Sequence, residues 1–475
     1  MDTAPGFSMV VSQNRYLSTE DDEIHAALVV TAEGTSGIEP SAQVAQVIAI
    51  DCSGSMRMPP TRFAAAQKAT KAAIDALRDG AMFAVVQGTN TARVVYPPTG
   101  LAVANPQTKR AAKLAVSDLR ASGGTAMGEW LLMARHLLAP HRTAVRHVIM
   151  LTDGMNGESR TSLDRVLETC RADFSCDARG IGVDWRPHEL LRIAEVLHGT
   201  ADAVRDYADL AADFAAMTKS AMAKLVPELR ILVRTTTSSR LDFLRQTHPT
   251  EAALTGTTDD GTTTFTTGSW AEESREYHLR LTVDSSGHAL DTDIRMARVD
   301  LEIRPPGATE FVRASPPKVV LAHWTDDLKL SSHIDPRIAH YTGQTELRQA
   351  VLRGSEAHDN GDLDTAAAEW GTAVALATQL ANEKILVRLR RLVEVIGDPS
   401  DGVVRVKDTL RPEDLLSVVV GSTQSSMSMA DSSAASSPMD VDTPSTQTEL
   451  AVTCPTCGRD WPDTAAFCGG CGTRL

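Results

Sequence analysis

The sequence predicts an α/β fold in which a doubly wound, mostly parallel sheet is inserted in or followed by a β-sandwich. A helical bundle and a small cysteine module come after it. Three observations predict this. Between about 43 and 224, short apolar runs alternate with helical stretches, the pattern of a sheet with helices on both faces. From 226 that pattern gives way to short strands split by turn residues, as in a sandwich. Four of the seven cysteines fall in the last 22 residues.

Bulk composition bounds the function. The 475 residues are enough for several domains. Hydrophobic residues make up 42% and charged residues 23%, both within the globular range. Aromatics are only 4%, so the core must be built from Ala, Val, Leu and Ile. The net charge of −14 and the lack of a long basic cluster argue against a general binder of nucleic acid or anionic membrane. No apolar run approaches the ~20 residues of a membrane span. The first residues lack a basic stretch followed by an apolar one. A cytoplasmic protein is expected, and three scattered cysteines, Cys52, Cys170 and Cys176, agree, since they form no secreted disulfide framework.

Taken in order, residues 7–36 read as two strands split by the acidic turn TEDDE. We expect this segment (1–42) to join the sandwich. Residues 44–50, VAQVIAI, are a continuous apolar run, as a strand buried on both faces requires. A helix follows Pro59 and Pro60, with Phe63, Ala66, Ala73, Ile74 and Leu77 on one face and a stop at Gly80. Further strands are predicted at 82–87, 92–96, 146–151, 179–183 and 202–205. Helices are predicted at 106–120, 127–138, 162–174, 187–197 and 207–224. The α/β domain thus spans 43–224 and the sandwich 225–330. Residues 331–400 are helical, read either as one tetratricopeptide-like hairpin around the turn at Asp359–Asp362 or as a three-helix bundle. A linker is expected over 401–449, disordered from about 421. Between Ser422 and Thr446 nine Ser and three Thr occur, too few apolar groups to offset the entropy of ordering. Its Ser437-Pro438 and Thr443-Pro444 read as plain spacer in preference to phosphorylation sites.

The residues that carry chemistry follow the first buried strand: Asp51-Cys52-Ser53-Gly54-Ser55. This is DxSxS at the carboxyl end of a strand, where open α/β sheets bind ligands. Ser122-Gly123-Gly124-Thr125 precedes a predicted helix, and Thr152-Asp153-Gly154 ends the buried strand RHVIML. Ser53, Ser55 and Thr125 offer neutral hydroxyls, and Asp51 and Asp153 offer charge. Oxygen ligands of this kind suit a small hard cation, Mg²⁺ first, with Mn²⁺ or Ca²⁺ as substitutes. With few carboxylates around it, such an ion stays electrophilic and seeks an acidic group from outside.

These three segments in this order resemble the von Willebrand factor A family over roughly 43–224. The resemblance implies a metal-ion-dependent adhesion site at Asp51, Ser53, Ser55, Thr125 and Asp153, with no departure from the family pattern at those five positions. It implies a non-enzymatic adaptor that grips a partner's Asp or Glu through Mg²⁺. The whole chain resembles bacterial intracellular proteins of this family, including those of tellurite-resistance and stress operons. That likeness implies kinases, phosphatases or phosphopeptide-reading proteins as partners.

Two other functions compete with this one: a regulatory subunit of an AAA⁺-type ATPase or chelatase, and a metal-dependent hydrolase. Ser53 or Ser55 as a nucleophile lacks GxSxG, no phosphate-binding GxxxxGK[ST] occurs, and His147 at the start of a strand reads as structural. Asp51 and Asp153 as holders of a catalytic metal are the remaining enzymatic option.

The cysteine pairs Cys454-Pro-Thr-Cys457 and Cys468-Gly-Gly-Cys471 have the spacing of two zinc knuckles. Four thiolates make a closed, structural Zn²⁺ site, and a segment this short folds only with its metal. The module over 450–475 therefore reads as a zinc ribbon. It holds few basic residues, so protein contact is expected and nucleic acid is not. Cys170 and Cys176 read as buried thiols in preference to a redox pair.

Overall fold

The computed structural model describes residues 6–33, 42–425, 451–453 and 460–462. The four knuckle cysteines and residues 426–449 lie outside the described residues. The chain divides into two units, 1–430 and 431–475, and the first holds all the long strands and helices.

Three strands open the chain: β1 (Gly6–Gln13), β2 (Tyr16–Leu17) and β3 (Glu23–Glu33). The α/β domain then runs β4 (Val44–Asp51), α1 (Pro60–Ala76), β5 (Met82–Gly88), β6 (Ala92–Tyr96), β7 (Ala102–Val103), α2 (Pro106–Ser117), α3 (Met127–Leu138) and β8 (Val145–Gly154). It closes with α4 (Arg160–Cys170), β9 (Ser175–Asp184), α5 (Pro187–Val196), β10 (Ala201–Val204) and α6 (Leu210–Met222). Its sheet has the order β10-β9-β8-β4-β5-β6, with β7 on β5. All pairings from β10 to β5 are parallel, while β6 and β7 run antiparallel.

The period-two pattern of the strands explains the layers. Every residue of β4 is buried. Val44, Ile48 and Ile50 face α1, α2 and α6, where Ala66, Ala73, Val116 and Phe214 complete one core. Ala45, Val47 and Ala49 face α3, α4 and α5, where Trp130, Leu167 and Ile193 complete the other. The chain leaves β4 toward β5 on one side, and β8 is laid down on the other. The winding therefore reverses between β4 and β8, which makes the carboxyl ends of those two strands the place where a ligand site opens.

The next strands are β11 (Glu228–Thr235), β12 (Ser239–His248), β13 (Ala252–Ala253), β14 (Thr257–Asp259), β15 (Thr262–Thr266), β16 (Glu273–Val283), β17 (Ile294–Arg304), β18 (Val312–Arg313) and β19 (Lys318–Trp324). They form two sheets, β1-β3-β16-β12-β13 and β14-β15-β11-β17-β19-β2. One hydrophobic core draws on both sheets: Leu28, Tyr277 and Leu279 from the first, Ile231, Val299 and Trp324 from the second. The N-terminal strands thus enter both sheets. The segment expected as a single strand over 7–17 breaks at Asn14, and β2 crosses to pair in parallel with β19. The α/β domain sits in the chain between β3 and β11.

Helices α7 (Leu328–Ser331), α8 (Pro336–Asp359), α9 (Leu363–Gln379) and α10 (Glu383–Leu392) follow, then the short strands β20 (Val393–Val395) and β21 (Val404–Val406) and helix α11 (Pro412–Gly421). Trp370, Ala373 and Leu389 centre their core. Here the linker expected over 401–449 is corrected for its first part. Strand β21 pairs with β20, and α11 buries Val418 and Val420, so folded structure runs to at least 421. The apolar run LLSVVV in α11 supplies buried surface, and Ser422 and Thr423 just after it are buried as well.

Candidate metal site

The site begins where β4 ends. Asp51 is its last residue and is fully buried. One carboxylate oxygen accepts from the Ser53 backbone N–H at 2.7 Å. The other accepts from the Thr152 hydroxyl at 2.8 Å. Burial pushes the Asp51 carboxyl up to about 6, and the nearby Asp153 carboxylate adds to this, against the hydrogen bonds from Ser53 and Thr152. Two acids held this close in a dry place favour a cation between them.

The three predicted segments meet. The Gly54 N–H donates to the Gly123 carbonyl at 2.9 Å, and the Ser122 N–H donates to the Cys52 carbonyl at 2.6 Å, which locks the SGGT loop to the DxSxS loop. Gly123 has φ +88°, a backbone that only glycine adopts freely. The Gly157 N–H donates to the Thr125 carbonyl at 2.7 Å, which ties the same loop to the chain beyond β8. Ser53 Oγ lies 2.9 Å from Ser55 Oγ, and the Ser55 hydroxyl donates to Asp153 Oδ1 at 2.8 Å. A methyl group on Gly154 would stand 3.3 Å from Ser55 Oγ and 3.4 Å from Thr125 Oγ1, so the three hydroxyls crowd the same spot.

The structure therefore brings all five predicted side chains, Asp51, Ser53, Ser55, Thr125 and Asp153, to one place. Ser55 is exposed while Asp51, Ser53 and Asp153 are buried, so the group opens to solvent on one side. Neighbouring corners of an octahedron with metal–oxygen bonds of about 2.1 Å lie about 3 Å apart. The Ser53–Ser55 and Ser55–Asp153 separations of 2.9 and 2.8 Å match that edge. The donors are all oxygen, as Mg²⁺ prefers. No cluster of three or more His, Cys, Asp or Glu side chains suited to a metal occurs among the described residues; any ion here rests on hydroxyls and two carboxylates.

Sequence reasoning missed Arg62. Its guanidinium donates to Asp153 Oδ2 at 2.5 Å and to the Tyr207 hydroxyl at 3.2 Å. The signal was present: Arg62 shares the buried stripe of α1 with Ala66, Ala69 and Ala73, where a charge needs a partner. Thr152 and Asn156 were missed as well. Asn156 accepts from the Met127 N–H at 3.0 Å, anchoring the start of α3 beside the site.

Residues 45–203 match the von Willebrand factor type A domain. A solved structure described as von Willebrand factor type A from Catenulispora acidiphila shares 38% sequence identity, with a TM-score of 0.82 over 90% of this chain and 99% of that one. The chain belongs to the von Willebrand factor type A family. The ArnB paralog VWA2 from Sulfolobus acidocaldarius shares the fold at 11% identity, with a TM-score of 0.55 over 89% of this chain and 98% of that one. No curated protein matches. In this von Willebrand A chain, no helix among the described residues is long and apolar enough to cross a membrane.

His147, the three scattered cysteines and four of the tryptophans take structural places. His147 bonds Asp177 Oδ2 at 2.9 Å through Nε2, at the opposite end of the sheet from Asp51. Cys52, Cys170 and Cys176 are buried and unbridged, and burial raises the Cys52 and Cys170 thiols to about 12. Trp130, Trp270, Trp324 and Trp370 are fully buried.

Proposed function

We propose that this von Willebrand A protein is a non-enzymatic adaptor whose α/β domain docks an acidic side chain of a partner protein through a divalent cation, Mg²⁺ in first place. The observation that carries the reading is the convergence of three hydroxyls and two carboxylates with one solvent-facing side. Ser53, Ser55 and Thr125 supply neutral oxygen, and Asp51 and Asp153 hold charge beneath them. A bound Mg²⁺ would supply a Lewis-acidic position for a partner carboxylate. Met58 and Met155, one in each of two loops that form the site, are 71% and 53% exposed. Flexible apolar side chains of this kind adapt to a partner surface. We read Cys454, Cys457, Cys468 and Cys471 as a structural zinc ribbon that offers a second contact surface, and the protein as cytoplasmic. The antiparallel sheets and the helices after them are read as a sandwich and a bundle that carry the docking domain.

The test is crosslinked capture from the native cell with the full chain, in Mg²⁺ and in EDTA, beside Asp51→Ala/Ser53→Ala. A specific protein retained only in Mg²⁺ and lost with the double variant is expected, with an unchanged circular dichroism spectrum. Retention at equal strength in EDTA would end the metal-bridge reading. Metal analysis of the same preparations should find one zinc per chain, absent from a chain ending at 449; zinc that survives the truncation removes the ribbon from the proposal.

A further inference from the structure

The structure assigns Arg62 a role at the metal site: its buried guanidinium cancels one of the two site carboxylates and so leaves a bound divalent ion with charge to spare for a partner's acid. The inference rests on the docking function proposed above and adds the residue that sets its charge balance.

The geometry is specific. Arg62 is 7% exposed, in the first turn of α1. Its guanidinium meets Asp153 Oδ2, while Asp153 Oδ1 accepts from Ser55. One oxygen of Asp153 is therefore taken by Arg62 and the other is turned toward the hydroxyls. The Tyr207 hydroxyl and, at 3.6 Å, the Asp184 carboxylate hold the guanidinium from further out. The backbone leaves room for it. Gly182 has φ +74°, and a Cβ there would lie 3.0 Å from Arg62 Nη2. Any larger residue at 182 would press on the guanidinium.

Asp51 and Asp153 alone bring two negative charges, which a divalent cation would neutralise completely. With Arg62 in place the buried groups present one net negative charge, because the Asp184 carboxylate beyond it is 56% exposed and screened by solvent. The protein then binds the ion less tightly, and the loaded site carries one net positive charge. That surplus draws an external carboxylate. In a buried, low-dielectric position a fixed charge a few ångströms away acts strongly on a divalent ion. Arg62 is thus a positioning and charge-setting residue, distinct from the five oxygen donors.

The test compares wild type, Arg62→Gln and Arg62→Lys, with Ser53→Ala/Ser55→Ala as control, by Mn²⁺ titration followed by electron paramagnetic resonance and by thermal melting in EDTA and in Mn²⁺. Arg62→Gln should bind Mn²⁺ at least about ten-fold more tightly, since it removes a neighbouring positive charge. It should melt lower than wild type in EDTA, because Asp153 is left buried without a counter-charge, and recover in Mn²⁺. Arg62→Lys should stay within about two-fold of wild type. A merely structural role for Arg62 predicts the opposite sign, weaker Mn²⁺ binding in Arg62→Gln. That result, an unchanged affinity, or equal tightening in Arg62→Lys overturns the inference while leaving the metal site standing. Wild type that binds no Mn²⁺, or binds it as well as Ser53→Ala/Ser55→Ala does, overturns the metal-site reading and this inference together.

Discussion

At the carboxyl end of the parallel sheet the polar groups are mostly neutral hydroxyls, close together and open to solvent on one side. At the amino end of the same sheet the polar groups are charged and paired with one another. There Lys224 Nζ lies 3.1 Å from Glu273, and Arg275 lies 2.7 Å from the same carboxylate. Arg275 also donates to the carbonyls of Thr267 and Ser269 at 2.6 Å each. Asp177 accepts from His147 and from the Thr200 backbone and hydroxyl. These groups line a cavity of about 190 Å³ between the α/β domain and the antiparallel strands. The contrast teaches where the molecule places its charges. Charge pairs hold the α/β domain to its neighbours, while closely spaced hydroxyls sit beside the solvent-facing side of the candidate site. Substitutions at the amino end should therefore cost stability, and those at the carboxyl end should cost function.

The largest effect is expected from Glu273→Ala. It strips the shared counter-charge from Lys224 and Arg275, and a buried charge left alone costs about 3–5 kcal/mol. Urea unfolding should show a loss of that size; a loss below about 1 kcal/mol would mean that the amino end is not held by its charge pairs.

A smaller effect comes from pH. Burial, with Arg275 near by, holds His198 down at about 4, below the ordinary histidine value of about 6.5. The unfolded chain takes up a proton at higher pH than the folded one. The stability that His198 contributes as a neutral ring is thus present above about pH 6.5 and lost as pH falls toward 4, by about 3 kcal/mol at most. His198 has φ +50°, which Asn tolerates. The variant His198→Asn should keep the turn and flatten the melting-temperature profile between pH 6.5 and 4. An identical slope in wild type and variant would remove His198 from the account.

The smallest change in stability is expected at the other end. Ser53→Ala with Ser55→Ala removes hydrogen bonds around the exposed Ser55, where water can take their place, so the net loss should stay at about 1 kcal/mol. The same variant should lose its thermal response to Mg²⁺. A large drop in the unfolding midpoint would erase the contrast between the two ends.

How much of this was legible follows from which signals are local. The run VAQVIAI followed by DxSxS gave both a buried strand and its liganding turn, because a parallel strand buried on two faces is apolar throughout. Asp153 was found in the same way behind RHVIML. Thr125 needed the glycines before it, which mark a backbone turn. Arg62 was not found, because a lone Arg in a helix usually lies in solvent, and its partner is 91 residues away. The Lys224–Glu273 pair is likewise 49 residues apart. The boundary at 401 failed for another reason. The shift in composition begins at Ser422, and α11 was too short to announce itself against the polar residues on either side. The break at Asn14 was missed because no Gly or Pro marks a turn between Val11 and Leu17, and the change of sheet depends on β19, far along the chain.

The insertion of the α/β domain between β3 and β11 also fixes an order of events during synthesis. The α/β domain is complete at Met222, whereas β19, the partner of β2, ends at Trp324, about a hundred residues later. At about 5–20 residues per second on the ribosome, the α/β domain has several seconds to fold before its host can close. Meanwhile β3, an inner strand of its finished sheet, has only β1 beside it, since β16 has yet to emerge. A nascent chain stalled in that interval would carry a finished candidate site on an unfinished body, with a long apolar strand edge waiting for its neighbour.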